Sequence, residues 1–293
     1  MTAHDFSASA APLRHLVTAD GVRIAWRDEG EGVPILCLPG LTRNMADFDA
    51  LVAARGGRAR FIRLDYRGRG ASERPADWRS YQVPVEARDV LALMDHLGLE
   101  RAAVVGTSRG GIIAMFLAAT AGARLAGAFL NDVGPVLEPA GIEAIRLYLG
   151  RRPGWRDLDE AATRIPAQMP GFEGVPPERW RAEVARWWIE TPQGLALAYD
   201  PRLRDAVFGE GRDAATPPDA LWPLFDALAG RPVALLRGAG SNLLSAKTAA
   251  EMRRRLPDML FAEVPGRGHV PFLDEPESLD LFDRWLAALE AAA

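Results

Sequence analysis

Apolar positions along the chain alternate between two rhythms. Short apolar or β-branched runs at 22–27, 33–38, 61–64, 102–105 and 126–130 read as strands. Between them, apolar residues at three-to-four spacing over 44–55, 85–97 and 109–121 read as helices. Parallel strands need a crossover long enough for a helix, so this alternation predicts an α/β fold with a mostly parallel sheet. From 134 to 220 the chain becomes rich in Pro, Arg and Trp, keeps a helical period and shows no strand pattern, which predicts an inserted helical cap. The first rhythm then returns, with a helix near 218–229, a strand at 233–236, a helix at 246–255, a strand at 260–264 and a last helix at 276–291. Residues 1–133 and 221–293 are therefore expected to form one core around an insertion at 134–220.

Composition adds exclusions rather than identity. A chain of 293 residues with 48% hydrophobic and 25% charged residues is long enough to bury a large core. Its net charge of −4, with no basic cluster interleaved with aromatics, speaks against a nucleic-acid partner. The single cysteine, Cys37, lies inside the apolar run 33–38 and reads as a small core residue rather than a reactive thiol. Residues 1–13 lack a basic stretch followed by an apolar one, and nowhere do 18 apolar residues run together. The expectation is a cytoplasmic protein without a membrane partner; self-association is left open.

The candidate chemistry centres on Gly106-Thr107-Ser108-Arg109-Gly110, which ends a buried-strand pattern and opens a helical one. A G-x-S-x-G stretch in that context presents a serine hydroxyl on a sharp strand-to-helix turn. A hydroxyl is a poor nucleophile at neutral pH. It needs a base within hydrogen-bond reach and an acid that orients the base. Of the four histidines, His269 stands on a Gly-rich loop just after the last expected strand. His4 falls in a terminus, His15 in the first extended segment and His96 on an ordinary helix.

Four ordered motifs give the chain a resemblance to the α/β-hydrolase superfamily. They are Leu38-Pro39-Gly40-Leu41-Thr42, the stretch Asp65-Tyr66-Arg67-Gly68-Arg69-Gly70-Ala71-Ser72, Gly106 to Gly110, and Gly266-Arg267-Gly268-His269. The resemblance implies an eight-stranded, mostly parallel sheet with helices on both faces and a cap after the sixth strand. It implies Ser108 as nucleophile, His269 as base, and the backbone N–H groups of Leu41 and Arg109 as the oxyanion hole. No metal or organic cofactor is implied. The Arg109 side chain is either a binder of a substrate carboxylate or half of a surface ion pair with a nearby acid. Asp65 to Ser72 reads as structural, its glycines suiting a tight turn and Asp65 and Arg67 pairing across it. Glu73 stands where a dinucleotide loop needs its third glycine, and Lys247, the only lysine, follows no phosphate loop.

The acid departs from the superfamily pattern. Its usual position, in the loop after the seventh strand, falls in Arg237-Gly238-Ala239-Gly240-Ser241-Asn242-Leu243-Leu244-Ser245 and is occupied by Asn242. An amide there favours the wrong imidazole tautomer, an exchange that lowers turnover roughly 10⁴-fold in a serine protease, about 5–6 kcal/mol of barrier. Asp132, in Asn131-Asp132-Val133-Gly134-Pro135 directly after the sixth strand, is the replacement candidate, because some branches of the superfamily place their acid there. Two alternatives stay open. Asp132 caps a turn and Asn242 is an inactivating substitution, or the triad runs weakly as Ser-His-Asn.

Trp180, Val184, Trp187 and Trp188 share helical spacing, with Trp155, Tyr148, Met169 and Phe172 nearby. The four tryptophans are candidate substrate contacts, set against the reading that they form the cap's own core. The function expected is a serine hydrolase acting on a small carboxylic ester or lactone. Hydrolysis of a carbon–carbon bond in a dienoic acid is one rival, and a catalytically weak ligand-binding protein is another. Epoxide and haloalkane chemistry is disfavoured, since those relatives carry Asp where this chain has Ser108.

Overall fold

The strand runs read from the sequence come together as one sheet in a computed structural model, which describes residues 5–209 and 220–292. His4 and the expected helix start at 218 lie outside the described residues. In chain order the elements are β1 (Arg14–Val17), β2 (Arg23–Glu29), β3 (Pro34–Leu38), α1 (Asp49–Arg55), β4 (Arg60–Leu64), α2 (Val83–His96), β5 (Ala102–Thr107), α3 (Arg109–Thr120) and β6 (Leu125–Asn131). Next come α4 (Pro139–Tyr148), α5 (Leu158–Arg164), α6 (Pro177–Trp187), β7 (Trp188–Thr191), β8 (Gly194–Leu197), α7 (Leu203–Phe208) and α8 (Trp222–Asp226). The chain closes with β9 (Val233–Gly238), α9 (Ala246–Arg255), β10 (Leu260–Val264) and α10 (Pro276–Ala291).

The eight-stranded sheet has the order β1-β2-β4-β3-β5-β6-β9-β10. Only β2 runs against its neighbours, and every other pair is parallel. Successive side chains on a strand point to opposite faces, so a strand covered on both faces is apolar throughout. In β3, Leu36 and Leu38 join the cluster that α2 and α3 cover, while Ile35 and Cys37 join the one that α10 covers with Phe282 and Trp285. In β5, Ala102 and Val104 divide from Ala103 and Val105 in the same way. Burial pushes the Cys37 thiol up to about 12, which leaves it protonated and inert at neutral pH.

Two local expectations are corrected. The region between β6 and β9 contains a two-stranded antiparallel hairpin, β7 with β8, pairing Trp188 with Leu197 and Thr191 with Gly194. The helical period over Trp180, Val184 and Trp187 runs on into Trp188 by coincidence. The helix stops at Trp187 and the chain turns at Gly194, whose φ is +88°. Secondly, Asp65 does not pair with Arg67. Its carboxylate accepts the backbone N–H groups of Met45 at 2.7 Å and Ala71 at 2.8 Å. Arg67 instead forks onto Asp89 of α2 with two 2.7 Å bonds and reaches Asp20 at 2.8 Å. A carboxylate already met by two backbone donors needs no cation, and the guanidinium finds its bidentate partner across the fold.

Candidate active site

Ser108 sits between the last residue of β5 and the first of α3 with φ 50° and ψ −111°. A non-glycine residue held there stores on the order of 1–3 kcal/mol, which the surrounding packing must sustain. The turn is packed so closely that neither flanking glycine leaves room for a side chain. A Cβ on Gly106 would lie 2.5 Å from the Gly110 carbonyl carbon, and one on Gly110 would lie 2.0 Å from the Leu38 carbonyl oxygen. The Ser108 N–H donates to the Asn131 carbonyl at 3.0 Å, tying the turn to the end of the neighbouring strand β6.

His269 lies on the loop after β10, with Nε2 3.0 Å from Ser108 Oγ and Nδ1 2.7 Å from Asp132 Oδ2. Asp132 is wholly buried at the end of β6, while the imidazole keeps 17% of its side-chain exposure. Three donors converge on that carboxylate. Besides the ring, the Gly238 N–H donates to Oδ1 at 2.8 Å and the Ser241 hydroxyl to Oδ2 at 2.6 Å. Such an arrangement fixes the carboxylate and leaves Nδ1 carrying the hydrogen, with Nε2 free to accept.

Asn242 is not brought to this array. It is exposed, and Asp132 already occupies the Nδ1 edge of the ring. The end of β9 and the loop after it thus serve Asp132 as a source of donors, through Gly238 and Ser241. Sequence reasoning missed both. The signal for Ser241 was available: a carboxylate without a cation must find hydroxyl or amide donors, and a serine stands beside the vacated acid position.

The proposed oxyanion wall lies on the other side of Ser108. A Cβ on Gly40 would come within 3.9 Å of Ser108 Cβ, so the loop carrying Leu41 runs directly against the hydroxyl-bearing residue. Arg109 is the first residue of α3, and first-turn N–H groups have no partner within their own helix. The Arg109 side chain forms an ion pair, as the second expected reading has it, but not at the surface. Its Nε donates to Glu86 at 2.5 Å and its Nη2 to the Tyr81 carbonyl at 3.3 Å. Glu86 is fully buried, so this is an internal pair, not a surface one.

The four tryptophans divide. Trp180 is not a wall of the site: only 2% exposed, it packs edge-on against Phe172 at 5.6 Å inside a cluster with Leu158, Val184 and Leu195. Trp155 packs against the same cluster. Trp187 lies under the Arg43 guanidinium at 4.3 Å. Trp188 touches Trp155 at 5.1 Å and also borders a second cluster that Leu41 and Ile145 pack against. The loop carrying Leu41 is tied to this region by Asn44, which donates to the Arg186 carbonyl at 2.7 Å, and by Arg43, 3.3 Å from Glu183. Among the described residues no group of three His, Cys, Asp or Glu is placed to hold a metal ion, and no helix is long and apolar enough to cross a membrane.

Comparison with known proteins agrees with this architecture. The model of the Alpha/beta hydrolase family matches residues 35–279. A 3-hydroxybutyrate-oligomer hydrolase of Cupriavidus necator is 35% identical over 260 residues, 87% of this chain and 88% of that protein. A 2-(acetamidomethylene)succinate hydrolase of Mesorhizobium japonicum is 26% identical over 245 residues, covering 83% and 84% of the two chains. The crystal structure of an alpha/beta hydrolase from Novosphingobium aromaticivorans is 38% identical, with a TM-score of 0.88 over 96% of this chain and 100% of that one. Since the family match spans most of the sheet and the similarity persists along nearly the whole chain, this protein belongs to the alpha/beta hydrolase family.

Proposed function

We propose that the protein is a serine hydrolase that cleaves a carboxylic ester through an acyl-enzyme. The observation that carries this reading is the unbroken hydrogen-bonded line from Ser108 Oγ to His269 to the buried Asp132 carboxylate. In the first half-reaction Ser108 Oγ attacks the acyl carbon as its proton passes to His269 Nε2. The backbone N–H groups of Leu41 and Arg109 receive the oxyanion, and Asp132 supports the imidazolium. Collapse of the tetrahedral intermediate breaks the bond to the alkoxy oxygen, which leaves with the proton from Nε2. Water then repeats the sequence on the acyl-enzyme, giving its proton to His269, and frees the acid and Ser108.

The substrate class follows from the site's apolar border and from its relatives. Leu41, Ile145 and Trp188 edge one cluster beside the oxyanion loop, which suits an aliphatic acyl group. The relative from Cupriavidus necator is named for hydrolysis of 3-hydroxybutyrate oligomers, linear aliphatic esters. Short 3-hydroxyacid ester oligomers are therefore the substrates proposed, ahead of lactones. Carbon–carbon hydrolysis of a dienoic acid stays the rival reading, but without Arg109 as its carboxylate binder, because that side chain is engaged by Glu86.

The test is a fluorophosphonate probe followed by mass spectrometry. Labelling is expected at Ser108 and lost in Ser108→Ala, together with hydrolysis of p-nitrophenyl butyrate and of the 3-hydroxybutyrate dimer. A folded protein that takes up no adduct at Ser108 would refute the acyl-enzyme. Labelling with turnover of the aryl ester but none of the dimer would refute the substrate class alone.

A further inference from the structure

Behind the nucleophile turn lies a buried group of charges that the reaction scheme leaves unused. Glu86, on α2, is fully buried and holds two arginines at once: Arg69 Nη1 at 2.9 Å from one oxygen and Arg109 Nε at 2.5 Å from the other. Arg69, 1% exposed, donates through Nε to the Leu41 carbonyl at 3.0 Å and through Nη1 to the Arg67 carbonyl at 2.7 Å. Its guanidinium carbon lies 5.1 Å from the centre of the Tyr81 ring and 5.7 Å from that of Tyr66. Burial pulls the Arg69 pKa down from its ordinary value, and the Glu86 carboxylate opposes that.

The two arginines end on the two residues whose N–H groups form the proposed oxyanion hole. One grips the Leu41 carbonyl, and the other is itself the residue after Ser108. We infer that Glu86 and Arg69 are positioning residues, which set the separation of the Leu41 and Arg109 backbone donors by clamping both to one buried carboxylate. This rests on the acyl-enzyme reading above and deepens it.

Physical chemistry favours a role of this kind. Burying three charges is costly, and a buried ion group is often no more stabilising than an apolar replacement of the same volume. Its value then lies in geometry. Removing a hole donor outright costs about 10²–10³ in turnover, and its alignment matters because the donor must meet the oxygen of the transition state rather than of the ground state. A clamp that loosens one donor without deleting it is expected to cost roughly tenfold in kcat. It leaves KM nearly unchanged.

Arg69→Met is the gentler test, because it leaves Glu86 and Arg109 as a one-to-one pair. Glu86→Gln is the second variant. For each, kcat and KM with p-nitrophenyl butyrate are measured beside inhibition by an alkyl trifluoromethyl ketone. Ser108 Oγ adds to that ketone to give a hemiketal whose negative oxygen occupies the hole. Asp89→Asn, which removes the bidentate partner of Arg67 in the same loop, reports mere destabilisation: a lower Tm with kcat and inhibition unchanged. The expected result for Arg69→Met is a roughly tenfold fall in kcat, a KM within about twofold, and a matching loss of ketone affinity. Unaltered kcat and ketone affinity in Arg69→Met, or losses in Asp89→Asn that track Tm equally, would overturn the clamp. Ester hydrolysis surviving in Ser108→Ala would instead overturn the acyl-enzyme itself.

Discussion

Replacing Asp132 with Asn is expected to lower ester turnover by roughly 10⁴-fold, about 5–6 kcal/mol of barrier, while Asn242→Asp leaves it similar to the parent. The reason is the tautomer. With a carboxylate at Nδ1 the ring carries its hydrogen there, and Nε2, 3.0 Å from Ser108 Oγ, is free to accept. An Asn can still take the Gly238 N–H on its oxygen, but then its NH₂ faces His269 and drives the hydrogen to Nε2, where no proton can be received from Ser108. Asn242 is exposed, and a carboxylate placed there adds only a surface charge. The measurement is kcat for p-nitrophenyl butyrate in both variants, with circular dichroism to confirm folding. Full turnover in Asp132→Asn, together with a gain of orders of magnitude in Asn242→Asp, would return the acid to its usual loop.

Gly110→Ala should be strongly destabilising. The added Cβ would meet the Leu38 carbonyl oxygen at 2.0 Å and its carbon at 2.7 Å, and both are backbone atoms of a central strand that cannot step aside. Overpacking commonly costs 1–3 kcal/mol, and a clash with rigid backbone belongs at or above the top of that range. For a chain of this size, 3 kcal/mol lowers Tm by about 6–12 °C. Gly57→Ala is the control, since a Cβ there has nothing within 4 Å. Comparable melting of the two variants would mean that α3 is free to slide away from β3, and that the strand–helix contact is not what holds the nucleophile turn.

Both predictions bear on what could be read in advance. The nucleophile turn was legible because its constraints are local: a β-branched strand, two glycines and a helical period lie within a few residues of Ser108. Asp132 was legible as the replacement candidate for the acid, but choosing it over Asn242 required knowing that Ser241 and Gly238 donate to its carboxylate. The β7–β8 hairpin was not legible, because its four-residue strands are short and Trp188 extends the period of the helix before it. The partners of Arg67 and Arg109 escaped for a different reason. Buried arginines choose carboxylates by three-dimensional reach, and Asp89 and Glu86 both lie on α2, far along the chain from the motifs they serve.

The placement of Asp132 also changes what the rest of the molecule must conserve as it varies. Ser108 and Asp132, the proposed nucleophile and acid, follow paired positions of adjacent strands, Thr107 opposite Asn131, and one backbone hydrogen bond joins the two turns. Their spacing is therefore set by sheet register, which does not drift with loop length. The loop after β9 is relieved of carrying the charge and owes the site one hydroxyl, while the strand end itself supplies one N–H. Within that loop the exposed Asn242 is a position that can be exchanged at little expense to chemistry, whereas Leu243 and Leu244 after it are buried and the Leu244 carbonyl accepts from Arg237 Nε at 2.9 Å.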